Sequence, residues 1–181
     1  MASESVHQRC TLEPGYSCSV YRLRPVQLDD EASVLQFELE NRAYFAQTVS
    51  DRGDEYFEEF PERHRDLLNE QSSGVCAYYL LVDDDQQVVG RFNLYDLNDG
   101  TASVGYRVGE AFARRGVATR GLGELCHIAS REHALRTLRA KARDDNAASQ
   151  RVLVKVGFVV MGATTVADRP GVRYELHLER R

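Results

Sequence analysis

The sequence predicts one α/β domain, a mixed and mostly antiparallel sheet of about seven strands flanked by about four helices. Three observations lead there. Residues 75–108 contain three apolar, aromatic-rich runs, VCAYYLLV, VVGRFNLYDL and TASVGYRV. Asp83-Asp84-Asp85 and the hairpin signal Asn98-Asp99-Gly100 separate them. From Arg115 to His133 the period changes, with Ala118, Leu122, Leu125, Cys126 and Ala129 on one helical face. Strand and helix patterns then alternate towards the C-terminus.

Taken in order, residues 1–18 lack periodicity and read as an N-terminal extension, so that 19–181 form the single domain. Ser19 to Val26 alternates like a strand. Asp29 and Asp30 mark a helix start, with Ala32, Leu35, Leu39 and Ala43 at helical spacing. A second helix is expected between Glu55 and Asn69, after the loop Ser50 to Asp54. Beyond the three central strands and the long helix, Leu138, Ala140 and Ala142 alternate with Arg139, Lys141 and Arg143 as a strand. A short helix over 146–156 has Ala148, Val152 and Val156 inward. Strands near 157–163 and 172–179 flank a loop containing Arg169-Pro170-Gly171.

Composition narrows the function. With 181 residues, 43% hydrophobic and 28% charged, the chain has the balance of a globular protein. No run approaches the roughly 18 apolar residues of a membrane helix. The start, MASESVHQRC, lacks a signal-peptide core, so no membrane partner and a cytoplasmic location are expected. A net charge of -5 argues against a general nucleic-acid binder. The four cysteines form no CxxC pair and the five histidines no HExxH pattern, so no metal site is expected. Cys76 and Cys126 read as core thiols.

The stretch VGYRVGEAFARRGVATRGLGEL (104–125) carries chemistry. A strand enters a turn holding Gly109, Arg114, Arg115 and Gly116, and a helix follows at once. A helix N-terminus presents unpaired N–H groups and the positive end of the dipole, which suits a phosphate. Gly116 admits close backbone approach, Ala118 leaves room, and the two arginines add charge-assisted contacts. The Walker pattern is absent, and GxGxxG fails because Cys126 follows Gly121 and Gly123 where glycine is needed. Alone, this turn is equally consistent with a flexible connection bearing surface arginines.

A second stretch, ARDDNAASQRVLVKVGF (142–158), places Asn146 and Ser149 at the start of a short helix that ends at Gly157-Phe158. Here the sequence resembles the Gcn5-related N-acetyltransferase (GNAT) superfamily, and within it the RimJ/RimL type of ribosomal-protein N-terminal acetyltransferase. Gly116 and Ala118 match the superfamily's phosphate turn; Asn146, Ser149, Gly157 and Phe158 match its later element. Asn41-Arg42, Val89-Gly90 and Gly105-Tyr106 match habits of the branch. The resemblance covers about residues 19–179, and the order and spacing of its motifs are specific together.

The resemblance implies a GNAT-like sheet and acetyl-coenzyme A as cofactor. Arg114, Arg115, Gly116, Val117, Ala118 and Thr119 would hold the pyrophosphate. The backbone of Tyr106, Arg107 and Val108 would pair with the pantetheine arm and stabilise the oxyanion. Asn146 would hold the cofactor's amides, and Ser149, with Tyr106 as the other catalytic candidate, would protonate the departing thiolate. The plainer alternatives are helix capping for Asn146 and Ser149, a solvated pair for the arginines, and sheet packing for Tyr106.

Three positions depart from the superfamily. Ala113 replaces a polar residue of the turn, Leu153 a tyrosine that protonates the thiolate, and Lys141 a glutamate base. Glu40, Asp96 or Glu175 could act as base through water. Without a strong base, an α-amine suits better than a lysine, whose pKa is about 2.5 units or ~3.4 kcal/mol higher. The expected partner is therefore a primary amine, first the N-terminus of a protein or peptide. The alternatives are a small amine (aminoglycoside, polyamine or amino-acid-like metabolite) and a non-catalytic acyl-coenzyme A-binding module. The acceptor site is expected between the first two helices and the 163–173 loop. There Asp51, Asp54, Glu55, Glu58 and Glu59 form either an acidic lip or a solvated face. A monomer or a homodimer is expected.

Overall fold

The computed structural model describes residues 21–179; the expected extension lies outside them. Among these residues the strands are β1 (Arg22–Pro25), β2 (Ala77–Val82), β3 (Val88–Asn98), β4 (Thr101–Val108), β5 (Thr137–Arg143), β6 (Val159–Val166) and β7 (Arg169–His177). The helices are α1 (Glu31–Glu40), α2 (Arg42–Ala46), α3 (Asp54–Glu58), α4 (Phe60–Ser72), α5 (Val117–Arg131) and α6 (Ala147–Val156). One sheet has the order β1-β2-β3-β4-β5-β7-β6, and every neighbouring pair is antiparallel except β4 and β5. The expected mixed, mostly antiparallel seven-stranded sheet is therefore observed. Parallel neighbours need a long crossover, and α5 supplies it.

The two early helices are each divided, which raises the helix number from the expected four or so to six. Asn41 ends α1: its side-chain amide donates to the Phe37 carbonyl (2.8 Å), and its Oδ1 accepts the N–H of Glu110 (2.8 Å). Pro61, which has no N–H to give, sits at the start of α4 and separates it from α3.

At β2 the sheet is covered on both faces, so this strand is buried along its whole length. Tyr79, Leu81, Phe92 and Leu94 pack with Leu122 and Leu125 of α5 and Leu153 of α6. Tyr78, Leu80 and Val82 pack with Val34 and Phe37 of α1 and Phe60 of α4. The expected inner faces of two helices are corrected. On α1 the buried residues are Val34, Phe37 and Glu38, whereas Ala32 and Leu39 are exposed. On α6 Leu153 is the buried anchor and Ala148 is exposed. A helix phase is set by what it packs on, and a buried glutamate hid the true stripe of α1.

The C-terminal hairpin also differs. Arg169-Pro170-Gly171 belongs to β7, and the turn is Ala167-Asp168, both with positive φ. Pro170 is tolerated at the second residue of β7, beyond the last β5 pair at Arg143–Gly171, where its carbonyl still accepts the Asp144 N–H at 3.0 Å. The turn at Asp99-Gly100, with φ of 47° and 74°, is the tight hairpin expected. Cys126 is buried and Cys76 half-buried.

Candidate active site

β4 and β5 pair only at Thr101–Thr137, Ala102–Leu138 and Ser103–Arg139. Beyond that point β4 stays paired with β3 as far as Val108, and β5 with β7 as far as Arg143. The two strands therefore part, and the sheet opens into a fork. The Gly109 N–H donates to the Val89 carbonyl on β3 (3.0 Å), while the Gly100 carbonyl accepts from Arg136 and Thr137 on the β5 side. Alternate residues of a strand turn their peptide groups to opposite edges. The N–H groups of Tyr106 and Val108 thus face into the fork, and that of Arg107 faces β3.

At the fork's open end lies the start of α5. Gly116, its N-cap, has φ 76° and ψ 0°, a left-handed conformation that glycine adopts without strain. No side chain caps this end, so the first-turn N–H groups keep their donor capacity. A side-chain carbon at Gly116 would meet nothing within 4 Å, so the space above it is open. Arg114 and Arg115 are exposed and make no ion pair within 4 Å among the described residues. Val117 is buried in the core, so only its peptide is available; Ala118 and Thr119 are half-buried.

Behind the fork, Phe92 is fully buried and stacks on Tyr106, with ring centroids 5.7 Å apart and planes 10° apart. Tyr106 reaches across to α6, its hydroxyl 3.0 Å from Ser149 Oγ and 3.3 Å from the Ser149 carbonyl. Burial pushes the Tyr106 hydroxyl up to about 12, with the Ser149 contact opposing. The Asn146 side chain accepts the Ser149 N–H at 3.0 Å. The capping role is thus present, and it fixes Ser149 against Tyr106. Tyr106 of β4 and Asn146, the N-cap of α6, are thus linked through hydrogen bonds to Ser149.

Arg107 does not join them. Its guanidinium lies on the opposite face, donating to Glu38 Oε2 at 2.7 Å and lying 5.0 Å from the Phe45 ring centre. Arg91 donates to the other oxygen, Glu38 Oε1, at 2.6 Å. Burial, with Arg52 and Arg91 adding to it, pulls the Arg107 guanidinium down, and Glu38 opposes. Sequence reasoning missed Glu38 and Arg91; a charged residue inside a helix stripe and one inside an apolar strand were the available signals.

The three carboxylates expected as substitute bases are elsewhere. Asp96 lies in the irregular part of β3 beyond the Tyr95–Ser103 pair, at the closed end of the fork. Glu175 sits opposite Arg139 at that same end and pairs with it at 3.4 Å. Glu40 accepts from Gln36 on an exposed surface. Lys141 is exposed. The acidic run near residue 51 is largely engaged by arginines. Arg42 holds Asp51 and Asp54, each at 2.6 Å, and Arg63 holds Glu59 at 2.7 Å.

A cavity of about 210 Å³ opens between the α3–α4 segment and the sheet, lined in part by Arg52, Arg63, Arg91 and Arg107. Arg143 of β5 donates to the Thr48 carbonyl at 2.9 Å, tying the segment after α2 to the fork's far arm. Among the described residues no cluster of His, Cys, Asp and Glu could hold a metal, and no helix is long and apolar enough to cross a membrane.

The forked edge and the uncapped helix start fit coenzyme A: exposed peptide groups along the fork for its amides, N–H groups and free arginines for its phosphates. The ribosomal-protein-S5-alanine acetyltransferase of Vibrio fischeri has the same fold, with a TM-score of 0.81 and 18% identity over 90% of this chain and 98% of that one. The ribosomal L7/L12 α-N-protein acetyltransferase RimL in complex with coenzyme A gives 0.78 and 20%, over 90% and 96%. RimJ of Mycobacterium smegmatis, in complex with a coenzyme A disulfide, gives 0.78 and 21%, over 87% and 81%. No curated protein sequence matches. The model of the acetyltransferase (GNAT) domain matches residues 21–159. That span is most of the chain, and the chain belongs to this family as an acetyl-coenzyme A-dependent N-acetyltransferase.

Proposed function

We propose that the chain acetylates the N-terminal α-amine of a protein or peptide, with Ser149 as proton donor to the leaving thiolate. The observation that carries this reading is the 3.0 Å contact between Tyr106 and Ser149 at the mouth of the fork. Bound acetyl-coenzyme A supplies the thioester whose acyl carbon the amine attacks. The N–H groups of Tyr106 and Val108 stabilise negative charge on an oxygen held in the fork. As the C–N bond forms and the C–S bond breaks, the amine nitrogen releases a proton to solvent, Ser149 Oγ donates one to sulfur, and the Tyr106 hydroxyl keeps that serine oriented until solvent restores its proton. Arg114, Arg115 and the peptides of Gly116 to Thr119 hold the phosphates, and Asn146 fixes the first turn of α6.

The choice of an α-amine rests on protonation. Glu40, Asp96 and Glu175 lie away from the fork's mouth, and Glu38 is locked between two arginines. An α-amine, roughly a tenth neutral at pH 7, needs less help from a base than a lysine does. Two proteins of the same fold support the reading, being named as ribosomal-protein acetyltransferases, one of them an α-N-protein acetyltransferase.

Calorimetric titration of acetyl-coenzyme A into the wild type and into Arg114→Ala/Arg115→Ala tests the cofactor site. Saturable binding weakened at least about tenfold in the variant is expected. An acceptor panel then compares peptides with free N-termini, the same peptides N-acetylated but carrying lysine, a polyamine and an aminoglycoside. Turnover confined to free N-termini is expected; turnover of the small amines alone would overturn the α-amine reading.

A further inference from the structure

The cavity beside the fork has an unusual chemistry for a protein of net charge -5. Arg52, Arg63, Arg91 and Arg107 all line it, together with Tyr56 and Asn93. The carboxylates that answer these cations are fewer. Glu38 serves both Arg91 and Arg107, Glu59 serves Arg63, and Arg52 lies only over the Tyr56 ring, 4.4 Å from its centre.

Two buried polar atoms of the lining have no partner. Arg91 Nε is a donor, on a residue only 6% exposed, and Asn93 Oδ1 is an acceptor. Leaving such buried groups unpaired is costly, so a ligand that satisfies them gains affinity. They stand two residues apart on the same face of β3, so their backbones are separated by roughly 7 Å. The donor, on one of four guanidinium groups that line the cavity, asks for an anion. The acceptor, two residues along the strand, asks for an N–H.

We infer that this cavity reads an acidic side chain near the acceptor's amine, so that the enzyme selects N-termini followed closely by Asp or Glu. The inference rests on the α-amine reading above and names its substrate class. It sets aside one of the two alternatives for that segment, the acidic lip: carboxylates there hold Arg42 and Arg63 in place, and the surface offered to the acceptor is cationic. The lining also excludes the alternative charge, because a cationic acceptor would enter beside four arginines without a free carboxylate among them.

The test uses hexapeptides with a free alanine N-terminus followed by Asp and Glu, by Lys and Arg, or by Ser and Asn. Each is assayed for turnover and titrated calorimetrically into the coenzyme A-loaded protein. Wild type and Arg52→Glu are compared, with Arg63→Gln as a second variant and thermal melts as the folding control. Arg52 is exposed, its guanidinium pairs with no carboxylate among the described residues and only its backbone N–H donates to Asp51, so its reversal leaves the core intact. The acidic peptide should bind and react at least about tenfold better than the basic one, and Arg52→Glu should erase that preference without changing coenzyme A affinity. Equal handling of acidic and basic peptides by the wild type would overturn the inference while leaving N-terminal acetylation intact. Tight binding of the acidic peptide without turnover of any peptide would support the pocket and overturn the α-amine reading instead.

Discussion

The Tyr106 hydroxyl stands 3.0 Å from Ser149 Oγ and 3.3 Å from the carbonyl of the same residue. The two hydroxyls form a pair along which a proton can be passed, while the Ser149 carbonyl only accepts and holds the Tyr106 hydroxyl in place. Ser149→Ala should therefore slow turnover by about 100-fold, and Tyr106→Phe by about tenfold, with coenzyme A affinity nearly unchanged. Because both act on one proton, the double variant should be little slower than Ser149→Ala alone. Single-turnover rates check this, and strictly multiplicative losses would separate the two residues.

The pH dependence follows from the buried phenol. An acceptor α-amine loses its proton near pH 8, so kcat/KM should rise to a plateau there. Burial holds the Tyr106 proton up to about 12, so no descending limb from this group is expected below roughly pH 10. The folded pKa lies above the ordinary value, so the native state binds this proton more tightly. Its contribution to stability is complete below pH 10 and is lost as pH rises towards 12. Urea midpoints should therefore fall with pH over that window in the wild type and fall less in Tyr106→Phe.

Gly121 tests the packing behind the site. A side-chain carbon there would sit 2.4 Å from Phe92 Cζ, and Phe92 is the ring on which Tyr106 stacks. Gly121→Ala should cost about 1–3 kcal/mol, lower Tm by roughly 3–10 °C and reduce turnover by displacing Tyr106. Gly123, on the same helix, meets nothing within 4 Å. Gly123→Ala should therefore be stabilising by up to about 1 kcal/mol and leave activity unchanged. Thermal melts of the two variants side by side decide the matter.

The sheet was legible because its strands announce themselves locally. β4 was placed at its observed ends, since a tight Asp99-Gly100 turn opens it and Gly109 closes it. The Gly116 turn and the α6 start were legible as ordered motifs. The buried ion pairs beneath α1 were not. Glu38 and Arg91 are charged residues in buried positions, and periodicity treats charge as a sign of solvent. That error moved the inner face of α1 and left its arginine partners unrecognised. Arg107 was assigned to the cofactor by its backbone alone; what the sequence did not show is its side chain, which Glu38 draws to the other face of the sheet. Pro170-Gly171 read as a turn because the end of β5, which makes a proline harmless there, is a tertiary fact.

Glu38 offers the last test. It is 2% exposed and holds Arg91 at 2.6 Å and Arg107 at 2.7 Å, one on each oxygen. Glu38→Gln keeps the shape but leaves two close guanidinium groups without their shared counter-charge. Breaking a buried ion pair in this way costs about 3–5 kcal/mol, more than the pair itself contributes. Arg107→Gln alone should also be destabilising, because it strips one partner from a buried carboxylate. In the Glu38→Gln background, however, the same change removes a repulsion from Arg91 and should cost far less. Urea denaturation of the four proteins measures that coupling; effects adding within about 0.5 kcal/mol would mean the three charges do not act as a unit. A strong coupling would make Glu38 the clamp that fixes β3, β4 and α1 together, and so holds the fork's upper arm in place.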